Sequence, residues 1–196
     1  MKTLPLTMAL FIAIASARTG AAQTTTAGNS GLYLSAGDFL QHKLSDEINC
    51  SGSDKLDTHA LLGSASVTVV KNGQKQSFPK NQLYGYRDCK GRDYRFYSHD
   101  TYRILDTAGF FIYYKYKYEQ GPGGKGLVKT DEYYFSTKGN SQLIVLNIDN
   151  LKKAFPANDR FHDQIDEECK TDKDLVAYDG FLKTYRIKYL YSQSSK

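Results

Sequence analysis

Nine consecutive residues, Phe110-Phe111-Ile112-Tyr113-Tyr114-Lys115-Tyr116-Lys117-Tyr118, limit what this chain can fold into more than any other stretch. Aromatic and β-branched side chains favour extended backbone, where neighbours alternate between two faces. Alternation puts Phe110, Ile112, Tyr114, Tyr116 and Tyr118 on one face, and Phe111, Tyr113, Lys115 and Lys117 on the other. The first face is aromatic or aliphatic throughout. The second starts apolar and becomes charged, the pattern of a half-buried antiparallel strand. The surrounding segment, Leu83 to Phe135, holds 11 of the 16 tyrosines and 4 phenylalanines. Turn residues divide it into short apolar runs, so it predicts a ladder of strands.

The flanking sequence extends that ladder. Gly31 to Leu34 is a short apolar segment, and Ser35 with Asp38 predicts the cap of a brief helix that docks Phe39 and Leu40. Ser45 to Cys50 reads as a strand and Ser51 to Asp57 as a loop. Ser64 to Lys71 is β-branched, and Asn72-Gly73 after it is a strong hairpin signal, because both residues tolerate the positive φ of a type I′ turn. Gln74 to Phe78 is the return strand, ended by Pro79. Strands follow at Gln82 to Arg87, Asp93 to Tyr97 and Thr101 to Leu105, with turns at Asp88-Cys89-Lys90-Gly91 and Ser98-His99-Asp100. Leu127 to Ser136 is the expected partner of the central strand, across a glycine-rich tip at 120–126, and Gln142 to Leu146 is a further strand.

After Leu146 the apolar period lengthens to that of a helix. Asn147 or Asp149 caps a helix carrying Leu151 and Phe155 and stopped by Pro156. Asn158 caps a second, with Phe161, Ile165 and Cys169 at four-residue steps. Thr171 with Asp174 opens a third, whose stripe is Leu175, Tyr178, Leu182, Tyr185 and Tyr189. Gly180 weakens that helix by about 1 kcal/mol relative to alanine. A final strand over Tyr185 to Tyr191 is the alternative. The expected fold is therefore α+β: a predominantly antiparallel β-meander, with barrel-like closure as one option, and two or three C-terminal helices packed on it.

The first 22 residues read as an export signal: a basic start at Lys2, an apolar run from Leu4 to Ala15, and small residues ending at Ala22. That run is too short to span a bilayer. Residues 23–30 are then a flexible N-terminal segment, 31–193 a single β-rich domain with C-terminal helices, and 194–196 a tail. The address is periplasmic or extracellular. Removing Lys2 and Arg18 lowers the formal net charge from +5 to +3, too small and too interspersed an excess for nucleic acid. Export makes a disulfide feasible among Cys50, Cys89 and Cys169. Cys50 and Cys89 both lie in the strand-rich part, whereas Cys169 lies in a helical pattern, which favours a Cys50–Cys89 bridge. Three buried thiols are the alternative.

Chemistry-bearing motifs are sparse. Gly121-Pro122-Gly123-Gly124-Lys125-Gly126 has the glycine spacing of a dinucleotide fingerprint, but a strand-like segment follows where a helix is required, so a hairpin loop is the better reading. His42, His59, His99 and His162 show no metal-ligand spacing, and the acidic residues between Asp163 and Asp174 lack the glycine-centred calcium loop. No catalytic residue, metal or cofactor is implied. The best candidate binding surface is the mixed face around Tyr113, Lys115 and Lys117. The functional expectation is a non-catalytic envelope or secreted module that binds a protein or glycan, with a small hydrolase as the alternative.

Three segments also carry a resemblance: Leu83 through Tyr97, Glu132-Tyr133-Tyr134-Phe135-Ser136, and Asn150-Leu151-Lys152-Lys153-Ala154-Phe155-Pro156. In this order the chain resembles small exported proteins of Bacteroidetes-type bacteria, a family of unknown function, from Gly31 to about Gln193. The resemblance implies an envelope or extracellular address. It also implies pairing of Cys50 with Cys89, since cysteines stand at both places in that pattern. Non-reducing peptide mapping is expected to return a Cys50–Cys89 linked pair, and reduction to cost about 4 kcal/mol of unfolding free energy in the chain-entropy picture. Alkylation of either cysteine in the native protein would contradict this.

Overall fold

The computed structural model describes residues 28–58, 64–124 and 126–195. The expected signal segment 1–22 and most of segment 23–30 lie outside the described residues, as do His59 and Lys125. In chain order the strands are β1 (Ser30–Tyr33), β2 (Ser45–Ile48), β3 (Lys55–Asp57), β4 (Ser66–Lys71), β5 (Gln74–Pro79), β6 (Gly85–Arg87) and β7 (Asp93–Tyr97). They continue as β8 (Asp100–Asp106), β9 (Phe111–Gln120), β10 (Leu127–Ser136), β11 (Ile144–Val145), β12 (Tyr178–Asp179) and β13 (Thr184–Tyr185). The helices are α1 (Ala36–Leu40), α2 (Ile148–Ala154), α3 (Asp159–Glu168), α4 (Asp172–Leu175) and α5 (Arg186–Ser194).

Eight strands form one antiparallel sheet in the order β11-β10-β9-β8-β7-β6-β1-β2. From β6 to β11 it is the expected meander. The sheet is open, with β2 and β11 at its edges, so barrel-like closure is not realised. Turn chemistry explains the connections. Asn72 and Gly73 have φ of 52° and 78°, and Ser98 and His99 have 47° and 70°, the left-handed pairs that tight hairpins need. Caps define the helix starts: the side chains of Ser35, Asn147 and Asn158 accept from the backbone N–H of Asp38, Asn150 and Phe161.

Cross-strand register places Leu32, Tyr86, Tyr94, Arg103, Tyr114 and Tyr133 in one row across a single face. Two layers cover that face. At one end the three-stranded sheet β3-β4-β5 presses Val67 and Val69 onto Leu32, Ile48 and Tyr86. At the other the C-terminal helices press Leu151, Phe161, Ile165 and Ile187 onto Phe110, Ile112 and Phe135. The opposite face is closed by Phe39 of α1 and by Leu143, against Tyr33, Phe111 and Tyr113. The half-buried expectation for the central strand is thus corrected. Phe110, Phe111, Ile112 and Tyr113 are all buried, on both faces.

Two elements differ from expectation. The segment expected as a loop at 51–57 contains β3, which pairs Leu56 with Val69 and so extends the β4–β5 hairpin. The third helix is not continuous. α4 stops at Leu175, and the Asp179 carboxylate accepts from the N–H groups of Phe181 and Leu182 at 2.8 Å each. That local turn competes with helical bonding, and Lys183 at φ 52° completes the reversal into the β12–β13 hairpin. The buried positions are therefore Leu175, Ile187 and Leu190, while Tyr178, Leu182 and Tyr189 stay exposed. The helical reading of the tail holds, as α5.

Cys50 and Cys89 form a disulfide with Cα atoms 5.5 Å apart, tying the end of β2 to the turn after β6. Cys169 is a free, buried thiol in the helical core. Gly85 marks the tightest backbone approach: a Cβ there would lie 1.8 Å from the Tyr94 carbonyl oxygen. Only a residue without a side chain fits between β6 and β7 at that point. Gly85→Ala is expected to lower the unfolding free energy by about 3 kcal/mol through overpacking against backbone that cannot move aside, read by urea denaturation. A loss under about 0.5 kcal/mol, the range of a neutral surface change, would contradict the account.

Candidate functional site

β9 and β10 pair over their full length, from Phe111↔Ser136 to Gln120↔Leu127. Their neighbours do not. β8 pairs with β9 only at Ile112, Tyr113 and Tyr114, and β11 pairs with β10 only at Tyr134 and Phe135. Beyond Tyr114, β9 therefore has β10 as its only ladder partner among the described residues, and a two-stranded ribbon projects from the sheet. Its tip is the glycine loop, where Gly123, Gly124 and Gly126 all have positive φ and the Gly121 N–H donates to the Gly126 carbonyl at 2.8 Å. The loop is a hairpin tip, as expected from its context.

Directly opposed residues share a face. One face of the ribbon carries Lys115, Lys117 and Glu119 opposite Glu132, Thr130 and Val128. It is closed by its own charges. Lys115 Nζ lies 2.5 Å from Asp100, and Lys117 Nζ lies 2.5 Å from Glu132 and 2.9 Å from Glu119. These bonds push the Lys117 amine well above its ordinary value and hold the Glu119 and Glu132 carboxyls below theirs. Tyr113 does not reach this surface. It is fully buried, its hydroxyl accepting from Arg95 at 3.1 Å and lying 3.0 Å from Ser136 Oγ. Arg95 is itself buried between the rings of Tyr84, Tyr97 and Tyr113 and donates to the Ser141 carbonyl at 2.9 Å. The expected surface of Tyr113, Lys115 and Lys117 thus resolves into one core residue and two neutralised lysines.

The other face carries Tyr114, Tyr116 and Tyr118 opposite Tyr133, Asp131 and Lys129. It is fully buried at Phe110 and Ile112, and Tyr133, opposite Tyr114, still packs against the helical core, but that layer does not reach Tyr116. Tyr116 is 45% exposed and Tyr118 61%. Their rings run as a ladder, with Tyr114–Tyr116 at 6.4 Å and Tyr116–Tyr118 at 5.7 Å. Lys129 sits over the Tyr114 and Tyr116 rings, at 5.8 and 4.7 Å, and the Tyr114 hydroxyl donates to Asp131 at 2.7 Å. Leu127, on the same face, adds exposed aliphatic surface at the tip. The ladder offers rigid aromatic contact area with a cation held among the rings. Sequence alternation had already put these tyrosines on one face. It carried no sign that the covering helices stop short of them.

A second place holds perturbed chemistry. Lys188 of α5 lies in the wall of a cavity of about 410 Å³ with Asp106, Tyr189 and Tyr191. Burial pulls its amine down to about 8, while the nearby Asp106 carboxylate, 3.2 Å away, opposes the shift. Its Nζ also donates to the carbonyls of Ala108 and Phe110. All its donors are engaged, so it pins the turn before β9 to α5 rather than presenting a free amine. The described histidines are scattered: His42 beside Arg87, His99 in a turn, and His162 on the Phe155 carbonyl. No group of three or more metal-ligating side chains occurs among the described residues, and no described helix is long and apolar enough to cross a membrane.

Comparison with known protein families, with curated proteins and with solved structures finds no match.

The Lys188 environment gives stability a signature in pH. Its amine is near 8 when folded and 10.5 when unfolded, so from pH 8 upward the unfolded chain binds more protons and stability rises with pH. The slope approaches about 1.4 kcal/mol per pH unit. Buried Lys80, also pulled down by desolvation, adds in the same sense. The buried Cys169 thiol and the core tyrosines are pushed up, so they oppose the rise above their ordinary values of 9.0 and 10.0. Urea denaturation is expected to show stability increasing between pH 8 and 9 and turning down above 10, with Lys188→Met flattening the rise. A wild-type profile falling from pH 8 to 9 would contradict the assignment.

Proposed function

We propose that this chain is an exported, non-catalytic binding module of the cell envelope or the extracellular space. Its contact surface is the tyrosine face of the β9–β10 ribbon, Tyr114, Tyr116 and Tyr118 with Tyr133 and Lys129. The observation that carries this reading is the tyrosine face of the ribbon's outer half, which buries little yet spends aromatic and aliphatic side chains on solvent: Tyr116, Tyr118 and Leu127 are all exposed. A solvated hairpin needs polar residues there, whereas a contact surface needs tyrosines, which bring area at low entropic cost and are enriched at protein interfaces. The exposed rings run as an extended ladder beside the groove along β10, which favours a protein partner over a small molecule. Export is supported by the pattern of residues 1–22 and by the Cys50–Cys89 disulfide, which persists in oxidising compartments. The amine of Lys188, engaged by three oxygens, supports a structural role for this shifted group.

The test is a pull-down from envelope extract with the wild-type chain, a Tyr116→Ala/Tyr118→Ala variant, and a control altered on the separate small sheet, Lys75→Ala. A partner held by wild type and control is expected to lose at least about tenfold in affinity with the tyrosine variant, the effect of one lost hot-spot contact. Unfolding free energy of the variant is expected to stay within about 0.5 kcal/mol of wild type. Equal retention by all three would sink the reading. Retention on a glycan array lost with the same variant would reassign the ligand to carbohydrate. Turnover in a hydrolase panel would move the function to the enzyme alternative.

A further inference from the structure

The outer edge of β10 borders a groove of about 630 Å³, lined by Lys129, Asp131, Tyr133, Val145, Asp172 and Lys173. The Leu146 N–H donates to the Tyr133 carbonyl at 2.9 Å, so the backbone groups of Tyr133 face away from β9. In an antiparallel ladder this direction repeats every second residue. Leu127, Lys129 and Asp131 therefore turn their N–H and C=O groups toward the groove, beyond the reach of β11. A straight edge with unpaired backbone groups is a template for one more strand.

The sequence of this edge is complementary to itself. We propose that β10 pairs with β10 of a second copy, antiparallel about a two-fold axis at Thr130. In that register Lys129 of each copy stands opposite Asp131 of the other, and the new ladder ends there, because the Tyr133 carbonyl is already taken by Leu146 of its own chain. Residues 129 and 131 both have outward backbone groups, so each such pair exchanges two N–H···O bonds. Sliding by two residues in either direction sets Lys129 against Lys129 or Asp131 against Asp131, and like charges directly opposite are destabilising. Charge thus selects one register from the three nearest. Lys129 and Asp131 are half-exposed on the tyrosine face, Lys129 over the Tyr114 and Tyr116 rings and Asp131 on the Tyr114 hydroxyl, so each meets the opposed charge of the second copy on that same face. The assembly is isologous and closes on itself. Opposed residues share a face, so the two tyrosine ladders come side by side on one surface. A partner with two sites would then gain avidity from both.

The dimer does not rest on the tyrosine-face reading, because it uses the backbone edge. Sedimentation velocity over a concentration series tests it with the purified chain. Wild type is expected to show a reversible dimer, and Asp131→Lys or Lys129→Asp alone to raise the dissociation constant at least about tenfold. The double variant Lys129→Asp/Asp131→Lys restores opposite charges across the axis and is expected to return to near wild type. Hydrogen exchange of the Lys129 and Asp131 amides is expected to slow as concentration rises. A chain monomeric up to about 100 µM, single variants that dimerise like wild type, or a double variant that stays monomeric would each overturn the proposal. Tyr116→Ala/Tyr118→Ala separates the two readings: it is expected to weaken partner capture at least about tenfold and leave the dimer intact.

Discussion

Phe110 is the contact on which the helical half of the molecule depends. It stands at the start of the central strand, fully buried, with the rings of Phe135, Phe155 and Tyr191 at 6.1, 5.4 and 5.2 Å. Those rings belong to β10, the end of α2, and α5. Phe161 of α3 joins the cluster through Phe155 and Tyr191, at 5.7 and 5.3 Å. The backbone takes part as well. Lys188 donates to the Phe110 carbonyl and lies 4.0 Å from its ring centre. Tyr191 packs so closely over Gly109 that a Cβ there would come within 2.7 Å of its ring. One side chain thus joins three helices to two strands, and the polar carbonyls exposed by the preceding turn are satisfied by a buried lysine. A buried carbonyl left unpaired would cost about 1–3 kcal/mol.

Because β9 starts between two layers, its inner end has no solvent face. Phe111 and Tyr113 serve the α1 side, while Phe110 and Ile112 serve the helical side. The layers differ in reach from the strand, whose ten residues run past both. The same strand is therefore a two-sided core element at one end and an exposed ribbon at the other. The tyrosines change role along it without a change of residue type. Tyr113 closes a buried polar chain with Arg95 and Ser136, and Tyr118 stands mostly in water.

Features with a local cause were legible in the sequence. The caps at Ser35, Asn147 and Asn158, the Asn72-Gly73 turn, the bounds of β10 and the Phe161–Ile165 stripe depend on neighbours within a few residues. The Cys50–Cys89 pairing was favoured by where the strands lie. Features with a distant cause were not legible. β3 exists because Leu56 finds the edge of β4. The stripe from Leu175 to Tyr189 satisfied helical spacing, yet an Asx turn at Asp179 broke it and exchanged its buried members for Ile187 and Leu190. The burial of Arg95 had no local sign, since a charged residue in an alternating strand reads as solvent-facing until three tyrosine rings surround it.

The candidate site divides the same way. Alternation alone put Tyr114, Tyr116 and Tyr118 together on one face and Lys115 and Lys117 on the other, because a strand has a period of two whatever it packs against. Which face is available was decided by tertiary structure. Asp100 and Glu132 neutralise the lysines from strands that register brings alongside, Arg95 draws Tyr113 into the core, and the helical layer stops before Tyr116. The backbone periodicity is a property of each residue and its neighbours, so the sequence by itself determined the strands, the turns and the composition of each face. Burial is a property of what lies above a face, so only the packed structure decided which tyrosines form the core and which stay exposed.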